Sequence, residues 1–128
     1  MKLKLITPEK AFFIGQVDTV TVPGSQGEFG VLDGHTPFVS TLRPGIVTIE
    51  QTGGETRKIL VLSGIAEVDP EHCVVLAETA IDVTQVTQTE AQTKLQEAKK
   101  LTDEAVTEAE KKDAAFKLSV AETLVQAL

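Results

Sequence analysis

Residues 87–128, TQTEAQTKLQEAKKLTDEAVTEAEKKDAAFKLSVAETLVQAL, contain neither glycine nor proline. Every glycine of the chain lies at or before Gly64 and every proline at or before Pro70, so two architectures are joined near residue 85. Thr87 and Glu90 match a capping box, in which the threonine hydroxyl accepts from an early helical N–H and the glutamate reaches back. Leu95, Ala98, Leu101, Ala105 and Ala109 then recur at helical spacing, followed by Phe116, Val120 and Leu124 at offsets of four, with Lys, Glu and Gln between them. Alanine at apolar positions lets helix backbones approach closely. The pattern therefore predicts an antiparallel pair with a break near residues 102–106, although the same pattern could run as a longer extended helix on a partner surface.

Working back toward the N-terminus, the pattern changes period. The stretches Lys2 to Thr7, Val17 to Val22, Ile46 to Glu50, Lys58 to Ser63 and His72 to Ala77 read as strands. Between them stand Pro23-Gly24, Asp33-Gly34, Pro44-Gly45, Gly53-Gly54 and Asp69-Pro70, turn signals too closely spaced for crossover helices. Val20 and Val22 alternate with Thr19 and Thr21, giving a core face and a wetter face, whereas Lys58 to Ser63 is apolar on both faces and is expected to be central. The fold class is mostly β plus α: an antiparallel sandwich or flattened barrel over residues 1–85, then a helical hairpin over 86–128.

Composition narrows the function. A net charge of −7, with no basic cluster longer than two residues, argues against nucleic acid and against unaided binding to anionic lipid. No apolar run approaches the roughly 20 residues of a spanning helix, and MKLKLITPEK lacks the core of a signal peptide, so a soluble protein is expected. Any membrane link should run through another protein. Cys73 is the single cysteine and is read as a buried structural residue, because successive side chains on a strand point to opposite faces and Glu71, His72 and Cys73 therefore do not converge around a metal. GSQGEFG lacks the Lys-Ser/Thr and the following helix of a phosphate loop. Asp33 with Glu28, and Asp69 with Glu71, sit in turns without a nucleophile or oxyanion site. No catalytic residue, metal site or cofactor is expected.

The stretch PGSQGEFGVLDGHTPFVSTLRPG, from Pro23 to Gly45, resembles the epsilon subunit of bacterial F-type ATP synthases and its mitochondrial counterpart, delta. The likeness continues in TPEKAFFIGQVDTVTV before it and VLSGIAEVDPEHCVVLAETAI after it, and so covers essentially the whole chain. It implies a sandwich of about ten strands followed by a two-helix hairpin. It also implies a non-catalytic central-stalk subunit, peripheral on the cytoplasmic face of the bacterial inner membrane, coupling the c ring and gamma to ATP synthesis in the catalytic head. The alternative is a ligand-sensing or ATPase-inhibiting module acting on the alpha/beta head through the C-terminal helices.

Gly24, Gly27 and Gly30 with Ser25 and Gln26 are read as a loop able to adopt positive φ, with Glu28 near its tip, and Gly34 to Pro37 as a second turn in which His35 bonds to backbone. By the resemblance, Glu28 stands where the family has a ring-facing glutamate and His35 where it has a histidine close to gamma. Ser25, Gln26, Glu28 and His35 are thus the candidate partner-binding residues; the plainer reading is that they only shape turns. Nucleotide-binding relatives carry Ile/Leu-Asp-x-x-Arg-Ala where this chain has Val86, Thr87, Gln88, Thr89, Glu90 and Ala91, which removes the guanidinium and adds an anion. Strongly inhibitory relatives have a basic last helix. Here Lys111, Lys112 and Lys117 are outnumbered by Glu104, Glu108, Glu110, Asp113 and Glu122.

Overall fold

The computed structural model describes residues 1–83 and 86–127. Nine strands precede two helices: β1 (Lys2–Ile6), β2 (Ala11–Gly24), β3 (Gly27–Val31), β4 (Phe38–Leu42), β5 (Gly45–Gln51), β6 (Thr56–Val61), β7 (Gly64–Val68), β8 (His72–Ala77), β9 (Ala80–Asp82), α1 (Gln88–Glu104) and α2 (Glu108–Ala127). Two compact units divide between Asp82 and Val83. The boundary expected after residue 85 falls at residues outside the described ones.

The strands bond in the order β1-β8-β7-β4-β2-β5-β6-β9, with β3 beside β2 and β1 also pairing β2. Nine strands are described where about ten are expected, because β2 runs for 14 residues and serves two layers. Its first half pairs β1 from Lys2↔Gln16 to Ile6↔Ala11, and its second half pairs β3 and β5, as in Val20↔Val31 and Val20↔Ile49. The register shifts between Val17 and Thr19, where the extra residue of a bulge lets a strand bend from one layer into the next. The sheet is not purely antiparallel. β1 runs parallel to β8, Leu3 opposite Cys73 and Leu5 opposite Val75. No local crossover is needed, since nearly the whole unit lies between these two strands in sequence.

Alternation builds the core. Leu3 and Leu5, Val20 and Val22, Val47 and Ile49, Ala66 and Val68, and Cys73 and Val75 all point inward, packed with Val17, Val31, Ile59 and Val61. Ile59, Leu60 and Val61 are all buried, as an apolar-on-both-faces strand between β5 and β9 requires. Gly64 has φ +147°, and a Cβ there would stand 1.9 Å from the Leu76 carbonyl oxygen, so only glycine lets β7 begin against β8.

In the second unit, Thr87 is the N-cap of α1 and its Oγ1 accepts from the Glu90 amide at 3.1 Å. α1 ends at Ala105, whose φ −67° and ψ 131° are extended. The chain thus adopts the hairpin and not the single helix the pattern also allowed. Buried positions step by seven residues, Ala91 and Ala98 on α1, Ala114 and Ala121 on α2, with Leu124 beside the last. Leu101, Ala109 and Phe116, expected in the apolar stripe, are exposed. Small side chains let the two packed helices come close, so the alanines rather than the larger residues take the inner positions.

Candidate functional site

Ser25 and Gln26 are the two turn residues of a tight hairpin between β2 and β3, closed by the pairs Gly24↔Gly27 and Pro23↔Glu28. Of the three glycines read as loop formers, only Gly27 has positive φ, at 131°. Glu28 is accordingly not at a loop tip. It is the second residue of β3, held in the ladder opposite Pro23, and its side chain is exposed. Ser25 Oγ lies 2.7 Å from Thr41 Oγ1, and the Ser25 amide donates to the Thr41 carbonyl at 2.9 Å, which ties the hairpin tip to β4.

His35 lies beyond the other end of β3. Leu32 to His35 form a turn in which the His35 amide donates to the Leu32 carbonyl at 3.1 Å and Gly34 has φ 86°. His35 Nδ1 is 2.6 Å from the carbonyl oxygen of Thr36, and its ring sits 6.5 Å from that of Phe38, which in turn meets Phe29 edge-on at 5.1 Å. The Gly34 amide donates to the Pro70 carbonyl at 2.9 Å, anchoring this turn to the one between β7 and β8. The four candidate residues therefore form two groups separated by the length of β3, about 13 Å at the usual rise per residue. Ser25, Gln26 and Glu28 are together; His35 is apart from them.

The carboxylates act as structural groups. Asp33 pairs with the Met1 ammonium. Asp69 Oδ1 accepts from the amides of Glu71 and His72 at 2.8 and 2.7 Å, and these bonds hold its carboxyl below the usual range. Its ring partner, His72 Nδ1, is 3.3 Å away. Cys73 is fully buried, and desolvation, with the charge of Asp69 adding to it, pushes its thiol up to about 11. No cluster of side chains suited to a metal ion occurs among the described residues.

Sequence reading missed a surface. On the outer face of the β1, β8, β7, β4 layer the register lines up Ile14, Lys4, Val74, Glu67 and Val39 in one row, and Ile6, Leu76, Ile65 and Thr41 in the next. Ile14, Val39, Ile65 and Leu76 are 57%, 65%, 42% and 48% exposed. The signal was present in β8, where HCVVLA has apolar side chains of both parities, but β4 and β7 had to be recognised as strands before their outward residues could be seen.

Residues 1–83 match the family described as ATP synthase, Delta/Epsilon chain, beta-sandwich domain. The ATP synthase epsilon chain of Rhodospirillum rubrum is 38% identical over 126 residues, covering 98% of this chain and 94% of its own length. The chain belongs to the ATP synthase delta/epsilon family. The epsilon chain of Bradyrhizobium sp. (strain ORS 278) is 52% identical over 85 residues, an alignment that takes in 66% of this chain and 62% of that one. Among solved structures, a chain of the Euglena gracilis mitochondrial ATP synthase, in a complex of OSCP, F1 and c ring, superimposes with a TM-score of 0.87 over 98% of this chain and 79% of its own, at 25% identity. A chain of the Tetrahymena thermophila central stalk and c ring shares the fold, with a TM-score of 0.70 at 18% identity and coverage of 99% and 95%. This epsilon-type chain is an accessory rotor-stalk subunit of the ATP synthase complex and not a catalytic one. None of its described helices is long and apolar enough to cross a membrane, which suits a subunit held peripherally by the complex.

Proposed function

We propose that this epsilon-type subunit couples the membrane ring to the catalytic head by joining gamma and the c ring, on the cytoplasmic face of the bacterial inner membrane. The observation that carries the reading is the pair of cross-strand rows on the outer sheet face, centred on Val39, Ile65, Leu76 and Ile14. Four exposed aliphatic side chains on a rigid ladder form an apolar surface suited to a permanent partner. Gamma is that partner. The separation of Glu28 from His35 supports two contacts rather than one: the hairpin bearing Ser25, Gln26 and Glu28 meets the ring, and the turn bearing His35 lies against gamma. The hairpin of helices is available to the alpha/beta head.

Burial of the exposed part of each aliphatic contributes on the order of 1 kcal/mol, so a charge at two of them weakens binding by far more than tenfold. Replacing Ile65 and Leu76 together by aspartate leaves the inward-facing core untouched. Co-purification of the variant with gamma is therefore expected to be lost while its circular dichroism is unchanged. Retained co-purification refutes the assignment of this face. For the ring contact, replacing Glu28 and His35 together weakens attachment of the assembled stalk to the ring, read as loss of coupling between proton flow and ATP synthesis.

A further inference from the structure

The outer face of the β1, β8, β7, β4 layer is charged by columns as well as apolar by rows. Leu3, Leu5, Ala66, Val68, Cys73 and Val75 point into the core, so their neighbours in sequence point out. On β1 these are Lys2 and Lys4, on β8 His72 and Val74, and on β7 Glu67. The register sets Lys4 beside Val74 and Val74 beside Glu67, in the row that also holds Ile14 and Val39. Lys2 extends the cationic column next to His72, and Asp69, just after β7, extends the acidic one. The face is thus positive along β1 and negative along β7, with β8 between them.

The acids differ in what they already hold. Asp69 accepts from the Glu71 and His72 amides and lies beside the His72 ring, so its carboxylate is engaged within its own turn. Lys4 and Glu67 take part in no ion pair or side-chain hydrogen bond among the described residues. Their strands are two spacings apart, about 10 Å. Lys4 is half-buried and Glu67 exposed, and water solvates both charges in the free chain.

Covering the face changes that balance. Ile14 and Val39 share a row with the two charges, and Ile65 and Leu76 stand in the next row, so a partner that covers the aliphatics also covers Lys4 and Glu67. A charge taken out of water without a counter-charge is costly, so the partner must bring a carboxylate to Lys4 and a cation to Glu67. Apolar contact is non-directional and accepts a partner turned half round on the sheet. The charges do not, because the turned partner sets like against like.

We propose that Lys4 and Glu67 fix the orientation in which gamma docks, gamma presenting an acidic group over β1 and a basic group over β7. The inference rests on the assignment of this face to gamma.

The test measures binding of purified gamma to three full-length proteins: the parent, Lys4→Gln with Glu67→Gln, and Lys4→Glu with Glu67→Lys. Both variants lose one cation and one anion or exchange them, so the net charge stays at −7 and only its arrangement differs. The neutral variant is expected to bind roughly tenfold more weakly than the parent, and the exchanged variant roughly a hundredfold or more, with circular dichroism unchanged. Any order other than parent, neutral, exchanged, from tightest to weakest, overturns the proposal. Should reversal weaken the fold, the neutral variant decides alone: its association with gamma is expected to depend less on salt than the parent's, and an equal dependence overturns the proposal. Ile65→Asp with Leu76→Asp separates the two claims. If that variant keeps gamma, the assignment of the face falls and the orientation with it; if it loses gamma while the exchanged variant binds like the parent, only the orientation falls.

Discussion

The two units are held by opposite means. In the sandwich, partners are distant in sequence: Leu3 packs in register with Cys73, and Val20 stands between Val31 and Ile49. Its core is branched aliphatic and tolerates little change of volume, since interiors are packed at crystal-like density. In the hairpin the decisive contacts are local, two threonine caps three residues from the glutamates they serve and a run of alanines at intervals of seven. A long-range ladder makes each position unforgiving. A capped alanine pair rests on fewer and smaller terms.

The largest effect separating them is expected at Gly64. Alanine there drives a Cβ into the Leu76 carbonyl at a φ of +147°, combining a clash with backbone strain. A loss of more than about 4 kcal/mol, read as an unfolded or insoluble protein, follows from mechanisms of this class. A cooperative unfolding transition near that of the parent would show that the β7 and β8 strands can part without cost. Next comes the core: Ile59→Ala should cost about 2 to 5 kcal/mol in urea denaturation, because it empties a fully buried site. Ala98→Gly in α1 is the matched change in the hairpin and should cost about 1 kcal/mol. Equal losses from the two would remove the contrast between the units.

Much of this division was legible before any coordinates. The boundaries of β8 are those of the stretch read as a strand, and Thr87 caps α1 where the Thr-x-x-Glu pattern put it. The break between the helices, expected near residues 102–106, falls at residues 105–107; what went unread was its cap, Thr107 with Glu110, because a capping box inside an unbroken helical pattern is easily read as two ordinary polar residues. β3 and β4 were hidden for a different reason. GEFGV has two glycines and reads as a turn; only the pairing of Phe29 with Val22 and Glu28 with Pro23 makes it a strand. The same pairing moved Glu28 from a loop tip into the ladder and separated it from His35, a distance that no local pattern encodes. The parallel pairing of β1 with β8 is likewise a property of the whole unit.

A smaller effect concerns pH. Asp69 is exposed, and backbone N–H bonds from Glu71 and His72 depress its pKa. A carboxyl depressed in the folded state stabilises above its ordinary pKa and loses that contribution as pH falls through the lowered value. Asp69→Asn should therefore lower Tm slightly at neutral pH, and the two melting curves should converge as pH falls below the ordinary carboxylate range of about 4. A difference that persists unchanged into stronger acid would mean that the turn depends on shape alone. The smallest expected signal is none: Mg-ATP added to the isolated chain should give no heat of binding, since Thr87 and Glu90 serve the start of α1 and no guanidinium stands in that segment. A micromolar dissociation constant by calorimetry would return the hairpin to the role of nucleotide sensor.

The contrast between a sandwich held by long-range pairing and a hairpin held by local contacts is tested most directly by binding of gamma to a chain ending at residue 86. If the sandwich carries attachment by itself, the shortened protein remains folded and binds gamma within about threefold of the full chain, as expected when no contact in the binding face has been removed. A loss of a hundredfold or more, with the sandwich still folded by circular dichroism, would contradict the account and move the attachment to the helices.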